Sequence, residues 1–528
     1  MQQLSAQDAS FIYTETPNAP MHVASINIYD PSTAPGHLVT FKGILAMIEA
    51  RLHLAPLMRR RLVRVPMDLD HPYWVEDPEF DLEFHVRHIA LPKPGDWRQF
   101  MIQCARLMAR PLDLNRPLWE VYVIEGLDGI KELPAGSFAF LLKIHHAAVD
   151  GLSGVELITA IHDLEPGGHP AAATESWTPE AIPPPWELMA RASVNNAMTP
   201  LRMAQSFVQS LPEMARRAAA PAATAAPAPS SPAPRTRFNG KVTGHRVIVA
   251  THFPLADFKR GKTIVAGATV NDTVLTVVGG AVRRYLEAKG ELPTESLVTM
   301  VPVSVRSEGD AAAGNQVSAM AVSLATHLGD TVERLAAVHR AAMESKTMLE
   351  AVGARNLQQM SQMIPGALVG AAARMNAEFG LTDQTQPLFN FVTTNVPGPP
   401  VPLYSMGARL VASYGMGPIQ NGMGVIFAIM SYTDALTIAI TACREMVPDP
   451  EFFADCIRAS HGDLVRALGG STDPVAAPEA PVAPVAAPEA PVAPVAAPEA
   501  PKPTTATPSA KKATAPPRAP ARKTGPKR

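Results

Sequence analysis

Residues 137–151 constrain this chain more than any other stretch. Ser137 to Ile144 has the length and composition of a buried strand, and it runs into two adjacent histidines, His145 and His146. Side chains alternate faces on a strand, so the two imidazoles cannot point the same way. One can enter a solvent channel while the core holds the other. Asp150-Gly151 then makes a turn, and Val155, Leu157, Ile158, Ile161 and Leu164 mark one face of a following helix. A histidine at a strand end, with a carboxylate one turn later, suits a general base that takes a proton from a hydroxyl near neutral pH. A lone histidine on an apolar strand is ordinarily a satisfied core residue. Two histidines, an aspartate and a glycine at this spacing point beyond packing. Two imidazoles and a carboxylate are also common metal ligands. Against a metal, adjacent strand histidines diverge, and no second Cys/His/Asp cluster lies nearby in the sequence.

Length bounds the rest. The chain has 528 residues, 47% hydrophobic and 18% charged, more than one core usually organises. Cys104, Cys443 and Cys456 cannot form a disulfide framework, so a reducing, cytoplasmic setting is expected. Met1 to Ser10 lacks the pattern of a secretory signal. There is no run of about 20 apolar residues, so contact with a membrane or lipid inclusion would be peripheral.

Ala218 to Pro234 is almost wholly Ala, Pro, Ser and Thr, and reads as a flexible connection. Near the C-terminus, Pro-Val-Ala-Ala-Pro-Glu-Ala recurs at Pro474, Pro484 and Pro494, and no aromatic, Leu, Ile or Met follows Pro474, so disorder is expected there. That tail carries eight basic and three acidic residues, a net +5, which against −2 for the whole chain leaves −7 on residues 1–473. A solvated extension, an electrostatic tether to anionic lipid, and nucleic-acid contact are its three readings. No folded recognition motif supports nucleic acid. Four regions are expected: an N-terminal domain (1–187) with the histidines, an interdomain helix and linker (188–237), a C-terminal domain (238–470) and a disordered tail (471–528).

The two halves share a strand and helix rhythm. Strands are expected at Met21–Tyr29, Phe84–Ile89, Met300–Val305, Val317–Leu324, Phe389–Thr394, Gly424–Ser431 and Leu436–Thr441, the last two paired through a turn at Thr433-Asp434. Phe41–Leu54 reads as a helix. Asn271 is expected to N-cap another helix, which Val274, Leu275, Val278, Val282, Tyr285 and Leu286 line, and Asp330 with Glu333 marks the start of a third. Leu188, Val194, Met198, Leu201, Met203, Phe207, Val208, Leu211 and Met214 form a methionine-rich stretch. Interdomain packing is its ordinary role, and a place beside an acyl chain or membrane is the sharper one.

His-His-x-x-x-Asp-Gly resembles the signature of the CoA-dependent acyltransferase superfamily, which includes chloramphenicol acetyltransferases, carnitine acyltransferases and peptide-synthetase condensation domains. From Leu4 to about Leu468 the chain resembles one branch, the bacterial wax ester synthase/acyl-CoA:diacylglycerol acyltransferase family. The N-terminal blocks that carry this are Asp8-Ala9-Ser10-Phe11 with Glu15, Pro20-Met21-His22-Val23, Trp74-Val75-Glu76-Asp77-Pro78, Phe84-His85-Val86-Arg87-His88 and Asn115-Arg116-Pro117-Leu118-Trp119-Glu120. The second half adds Asn271-Asp272, Val301 to Arg306, Gly314-Asn315 and Asn395-Val396-Pro397-Gly398-Pro399. One departure is Thr441-Ala442-Cys443-Arg444, where relatives often place Asp.

The resemblance implies an α/β fold of two chloramphenicol-acetyltransferase-like sandwich domains, with mixed sheets covered by helices on one side. It implies an O-acyltransferase that moves a long-chain acyl group from acyl-CoA to diacylglycerol, forming triacylglycerol, or to a long-chain alcohol, forming a wax ester. His146 is then the base and His145 supports the local fold. Asp150 braces the loop through an arginine, with Arg306 as candidate, and Gly151 completes the turn. Asn271 and Asp272 polarise the carbonyl or order the base, which is compatible with helix capping. Trp119 shapes the wall under the site, and Glu15 matches a family position of open role. No Gly-x-Ser-x-Gly motif appears, which favours direct transfer over an acyl-enzyme. Acyl-CoA enters as substrate, and no cofactor or metal is expected. A condensation-type domain would need a carrier-bound donor, but no carrier domain follows. A noncatalytic lipid-binding protein is the other alternative.

Overall fold

The computed structural model of the protein describes residues 1–149, 161–167, 177–198, 233–304, 317–352 and 386–469. The helix expected after Gly151 falls largely outside this set, as do the methionine-rich residues 201–214 and the C-terminal tail.

Two six-stranded mixed sheets carry the molecule. In the first, strands lie in the order Tyr404–Ser405, Ala408–Met416, His22–Asp30, Phe138–His145, Trp119–Glu125, Val86–Ala90, with only the last pair parallel. In the second the order is Val317–Ser323, Val298–Ser304, Phe391–Pro397, Val425–Tyr432, Ala435–Cys443, Arg246–Pro254, with parallel pairing on both sides of Phe391–Pro397. A small sheet of Gln2–Gln3, Tyr73–Glu76 and Arg60–Val63 stands apart. The C-terminal half thus completes the N-terminal half's sheet with two strands, and the α/β architecture is mixed throughout.

The histidine-bearing strand is buried on both faces. Phe138, Phe140 and Leu142 pack with Tyr29, Val121 and Val123 under the Phe41–Arg51 helix, through Ile44, Met47 and Ile48. Ala139 and Leu141 pack with Ile26 and Ile28 against Phe100, Cys104 and Leu107 of the Trp97–Met108 helix. That double burial accounts for the near-continuous apolar run. It also corrects the expectation of helices on one side only. The Trp97–Met108 helix meets Ile248, Ala250 and Ala439 of the second sheet as well, so it packs against both sheets. The second sheet's other core holds Val274, Val278 and Leu286 with Phe391, Phe427, Ile438 and Phe453.

Most expected elements are present, and the hairpin turn falls at Thr433-Asp434, with Tyr432 opposite Ala435. Asp330 caps the Thr331–Val352 helix, accepting from the Val332 and Glu333 N–H groups. Two local readings change. Phe84 and His85 belong to a helical turn, Leu82–His85, because the Asp81 side chain accepts from Glu83 N–H and starts it. The helix after Thr40 ends at Arg51, and Leu52–Leu54 tightens into a 3-10 turn. Among the described residues, no helix is long and apolar enough to cross a membrane.

One polar cluster sits inside this core. Lys143, fully buried, lies opposite Glu120 on the neighbouring strand, with Nζ 2.8 Å from its Oε2. Its ammonium also donates to Arg110 O at 3.0 Å, just past the end of the Trp97–Met108 helix, where carbonyls favour a cation. Glu120 accepts a further bond from the Tyr122 hydroxyl. Burial pushes the Lys143 ammonium down from its ordinary range, and Glu120 opposes that shift. Glu120→Ala should therefore cost about 3–5 kcal/mol, the usual penalty for an abandoned buried charge. Urea unfolding reads this, and adding Lys143→Met should recover much of the loss. A single variant as stable as the wild type would show that the pair does not matter.

Candidate active site

The site grows from the end of the Phe138–His145 strand. His145 is its last residue, stands opposite His22 across the sheet and is fully buried. Its Nδ1 accepts from Ala147 N–H at 3.1 Å, so the ring proton resides on Nε2. That Nε2 lies 3.2 Å from Glu15 Oε2 and donates to it. Glu15 follows the Ala6–Thr14 helix, and the same oxygen accepts Met21 N–H at 2.7 Å. One carboxylate therefore holds the first histidine and the entry to the His22–Asp30 strand together, which assigns Glu15 a structural partner that spacing could not supply.

His146 leaves the strand and opens a 3-10 turn, His146–Ala148. Its backbone N–H donates to Met21 O at 2.8 Å. Phe11, from the Ala6–Thr14 helix, stacks on the imidazole with ring centroids 3.9 Å apart and planes 15° from parallel. Nδ1 is buried with no hydrogen-bond partner among the described residues. No hydrogen bond to Nε2 is made among the described residues, which makes it the candidate nitrogen for a reactant. Burial pushes the His146 pKa down to about 4, its own carbonyl resists that shift, and His145 adds to it. The ring is thus neutral near pH 7, as a proton acceptor must be. The two histidines take different partners, one Glu15 and the other Phe11, and His146 does so from the 3-10 turn beyond the strand rather than by strand alternation.

His22 was quoted in a sequence block but given no role. It is fully buried and its Nε2 meets Met108 O at 2.6 Å, again at the end of the Trp97–Met108 helix. Burial drives its pKa well below the ordinary range, and the Lys143 cation adds to that. His22 packs the floor behind His145 as a neutral ring.

Asn271 and Asp272 open the Val270–Ala288 helix in the second half. Asn271 is not the N-cap. Thr269 is, in a capping box: its Oγ1 accepts from Asp272 N–H at 3.2 Å, and Asp272 Oδ2 accepts from Thr269 N–H at 2.8 Å. A threonine three residues before a carboxylate outcompetes an asparagine one residue before it, because only the former satisfies two backbone donors reciprocally. Asp272 Oδ2 also meets His339 Nδ1 at 2.9 Å. Asn271 Oδ1 accepts from Asn395 Nδ2 at 3.3 Å.

Trp119 is a core residue. Its indole N–H donates to Met58 O at 2.8 Å, and its ring stacks on His85 with centroids 4.6 Å apart. It stands opposite Ile144, while Leu118 O accepts His145 N–H, so it supports the strand end from one step away. Asp150, Gly151 and Arg306 lie outside the described residues. Among the described residues, no group of three or more His, Cys, Asp or Glu side chains could hold a metal ion.

Comparison with known proteins matches residues 4–274 to the wax ester synthase/diacylglycerol acyltransferase catalytic domain and residues 313–464 to the C-terminal domain of the same family. Two Mycobacterium tuberculosis relatives with provisional diacylglycerol O-acyltransferase names are each 33% identical. One aligns over 85% of this chain and 87% of its own length, the other over 88% and 100%. The solved wax ester synthase/diacylglycerol acyltransferase of Marinobacter aquaeolei VT8 is similar at 28% identity and a TM-score of 0.61, covering 89% of this chain and 100% of that one. The first condensation domain of the CDA synthetase shares the fold at 15% identity and a TM-score of 0.53, covering 90% of this chain and 98% of its own.

A stability test follows from His146. The folded ring resists protonation down to about 4, whereas an unfolded one takes its proton near 6.5. Between those values the unfolded chain binds more protons, so stability is lost as pH falls. From about pH 7 to about pH 5, wild-type unfolding free energy should drop more than that of His146→Gln, by on the order of 2 kcal/mol. Urea titrations across that window measure it, and parallel curves would contradict a suppressed His146.

Proposed function

The chain belongs to the wax ester synthase/diacylglycerol acyltransferase family, and on that premise we propose that it transfers a long-chain acyl group from acyl-CoA to the hydroxyl of diacylglycerol, forming triacylglycerol. The observation that carries this reading is His146, a neutral imidazole at the end of the strand, closed on one face by Phe11. As the acceptor oxygen attacks the thioester carbonyl, the hydroxyl proton passes to Nε2. Collapse of the tetrahedral species breaks the C–S bond, and the departing CoA sulfur takes that proton, returning a neutral ring. His145 and Glu15 hold the turn that presents it. Asn271 is the candidate that polarises the carbonyl: its Oδ1 is engaged by Asn395, which leaves its Nδ2 hydrogens to serve a developing oxyanion. Asp150 and Arg306 are proposed to brace the loop, and acyl-CoA enters as substrate with no cofactor.

Diacylglycerol as acceptor is favoured by the mycobacterial relatives, which are named for it. A long-chain alcohol is the second reading, favoured by the Marinobacter enzyme, which is named for both activities. Peripheral contact with a membrane or lipid inclusion completes the proposal. Residues 185–198 are helical, and one part of their solvent side shows Trp186 (70% exposed) and Val194 (63%), about two turns apart. A water-facing pair of that kind suits an apolar interface.

His146→Ala should lower CoA release with palmitoyl-CoA and diacylglycerol by about 10²–10⁴ while leaving the melting temperature in place. Undiminished turnover would remove His146 as the base. Running diacylglycerol beside a long-chain alcohol decides the acceptor, and no transfer to either would leave a noncatalytic lipid-binding protein. Trp186→Asp with Val194→Asp should weaken sedimentation with anionic vesicles. Removing residues 474–528 should weaken it further at low salt, with that second loss shrinking as salt rises. Equal sedimentation of all three proteins would refute the lipid contact.

A further inference from the structure

On the premise that His146 is the base, we infer that Phe11 is a positioning residue for the reaction: stacked on the imidazole, it closes one ring face to water and fixes the edge that Nε2 presents to the acceptor hydroxyl. Three observations converge on it. The rings are nearly parallel at 3.9 Å, a separation that admits no water between them. No other residue among those described bonds the imidazole at Nδ1, so beyond the weak pull of its own carbonyl it is the stack that sets the rotamer. Histidine bases are commonly oriented by a carboxylate or carbonyl on the distal nitrogen. Here the nearby carboxylate, Glu15, is spent on His145 and Met21 instead.

Phe11 is itself held from both sides. It packs with Ala147 and Ala148 of the histidine turn, and also against the second half's core, which Ala19 and Met21 join. The ring that orients the base is thereby tied to the half that carries Asn271. Burial under the Phe11 ring disfavours the charged imidazole and outweighs the pull of an aromatic face on a cation, since the net shift is downward, whereas a hydrogen-bonded orienter would favour the charged ring. The titratable groups on the elements packed against the turn are Asp8, Tyr13 and Glu15 from the helix and its end, His22 from the neighbouring strand, and Lys143 and His145 from its own. Of these, His145 is the one that pushes the imidazole further toward neutrality, and burial remains the larger cause.

The experiment uses the full chain with Phe11→Leu, which keeps an apolar side chain but removes the flat ring, and Phe11→Tyr, which restores it. Each is read by NMR titration of the His146 ring, assigned with His146→Gln, and by the pH profile of kcat/KM with palmitoyl-CoA and diacylglycerol. In Phe11→Leu the ring should titrate closer to an ordinary histidine, and kcat should fall by about tenfold to a hundredfold with KM little changed, the scale of a base misplaced by about 1 Å. The deficit should widen as pH drops from about 7.5 to about 5, because the more basic ring is protonated sooner. Phe11→Tyr should behave as wild type in both readouts. An unshifted titration in Phe11→Leu overturns the role of Phe11 alone. A shifted titration with an unmoved acid limb overturns His146 as the base, and the positioning role with it.

Discussion

The site depends on one carboxylate. Glu15 accepts from His145 Nε2 and from Met21 N–H, and Met21 O in turn accepts from His146 N–H. The paired histidines are therefore anchored to residues far upstream in sequence, through a short loop that also joins the second half's core through Ala19 and Met21. Remove that bridge and a fully buried imidazole loses the one side-chain acceptor it has among the described residues. An orphaned buried donor is costly, so the frame around His146 is stiff for a thermodynamic reason and not merely a topological one.

One face of the first sheet carries three polar side chains into a core near the end of the Phe138–His145 strand. Lys143 and His145 alternate with apolar neighbours, and His22 stands across from His145. Each has found an acceptor: Glu120 and a carbonyl near the helix end for Lys143, Met108 O for His22, Glu15 for His145. The end of the Trp97–Met108 helix supplies the negative end that makes a buried lysine tolerable. Desolvation runs through all of this. It holds His22 neutral, draws Lys143 down, and leaves His146, the proposed base, uncharged.

The second half contributes differently. Asp272 closes the capping box with Thr269 and meets His339, so its carboxylate is occupied in holding the start of the Val270–Ala288 helix. Its neighbour Asn271 faces outward toward Asn395. The Asn-Asp pair thus divides its work between a residue that builds the helix end and one that is presented by it.

Local pattern was enough for much of this. Alternation and apolar runs located the histidine strand, the hairpin about Thr433-Asp434 and the Asp330 cap, because strand period and capping are decided by residues close in sequence. Strand alternation did not decide the direction of His146, which lies in the 3-10 turn beyond the strand, while the motif blocks placed the chain in its family. Sequence could not say what Glu15 does, because its partners lie 130 and 6 residues away and meet only in the fold. Nor could it place Phe11 on the His146 ring, pair Lys143 with the end of a helix some thirty residues earlier, or show that Ala408–Met416 completes the first half's sheet. Asn271 was misread as a cap because several residues near a helix start can cap it, and backbone geometry picks one. Which residues are polar and periodic is written locally. Which of them lose water, and what replaces it, is decided when distant segments close on one another.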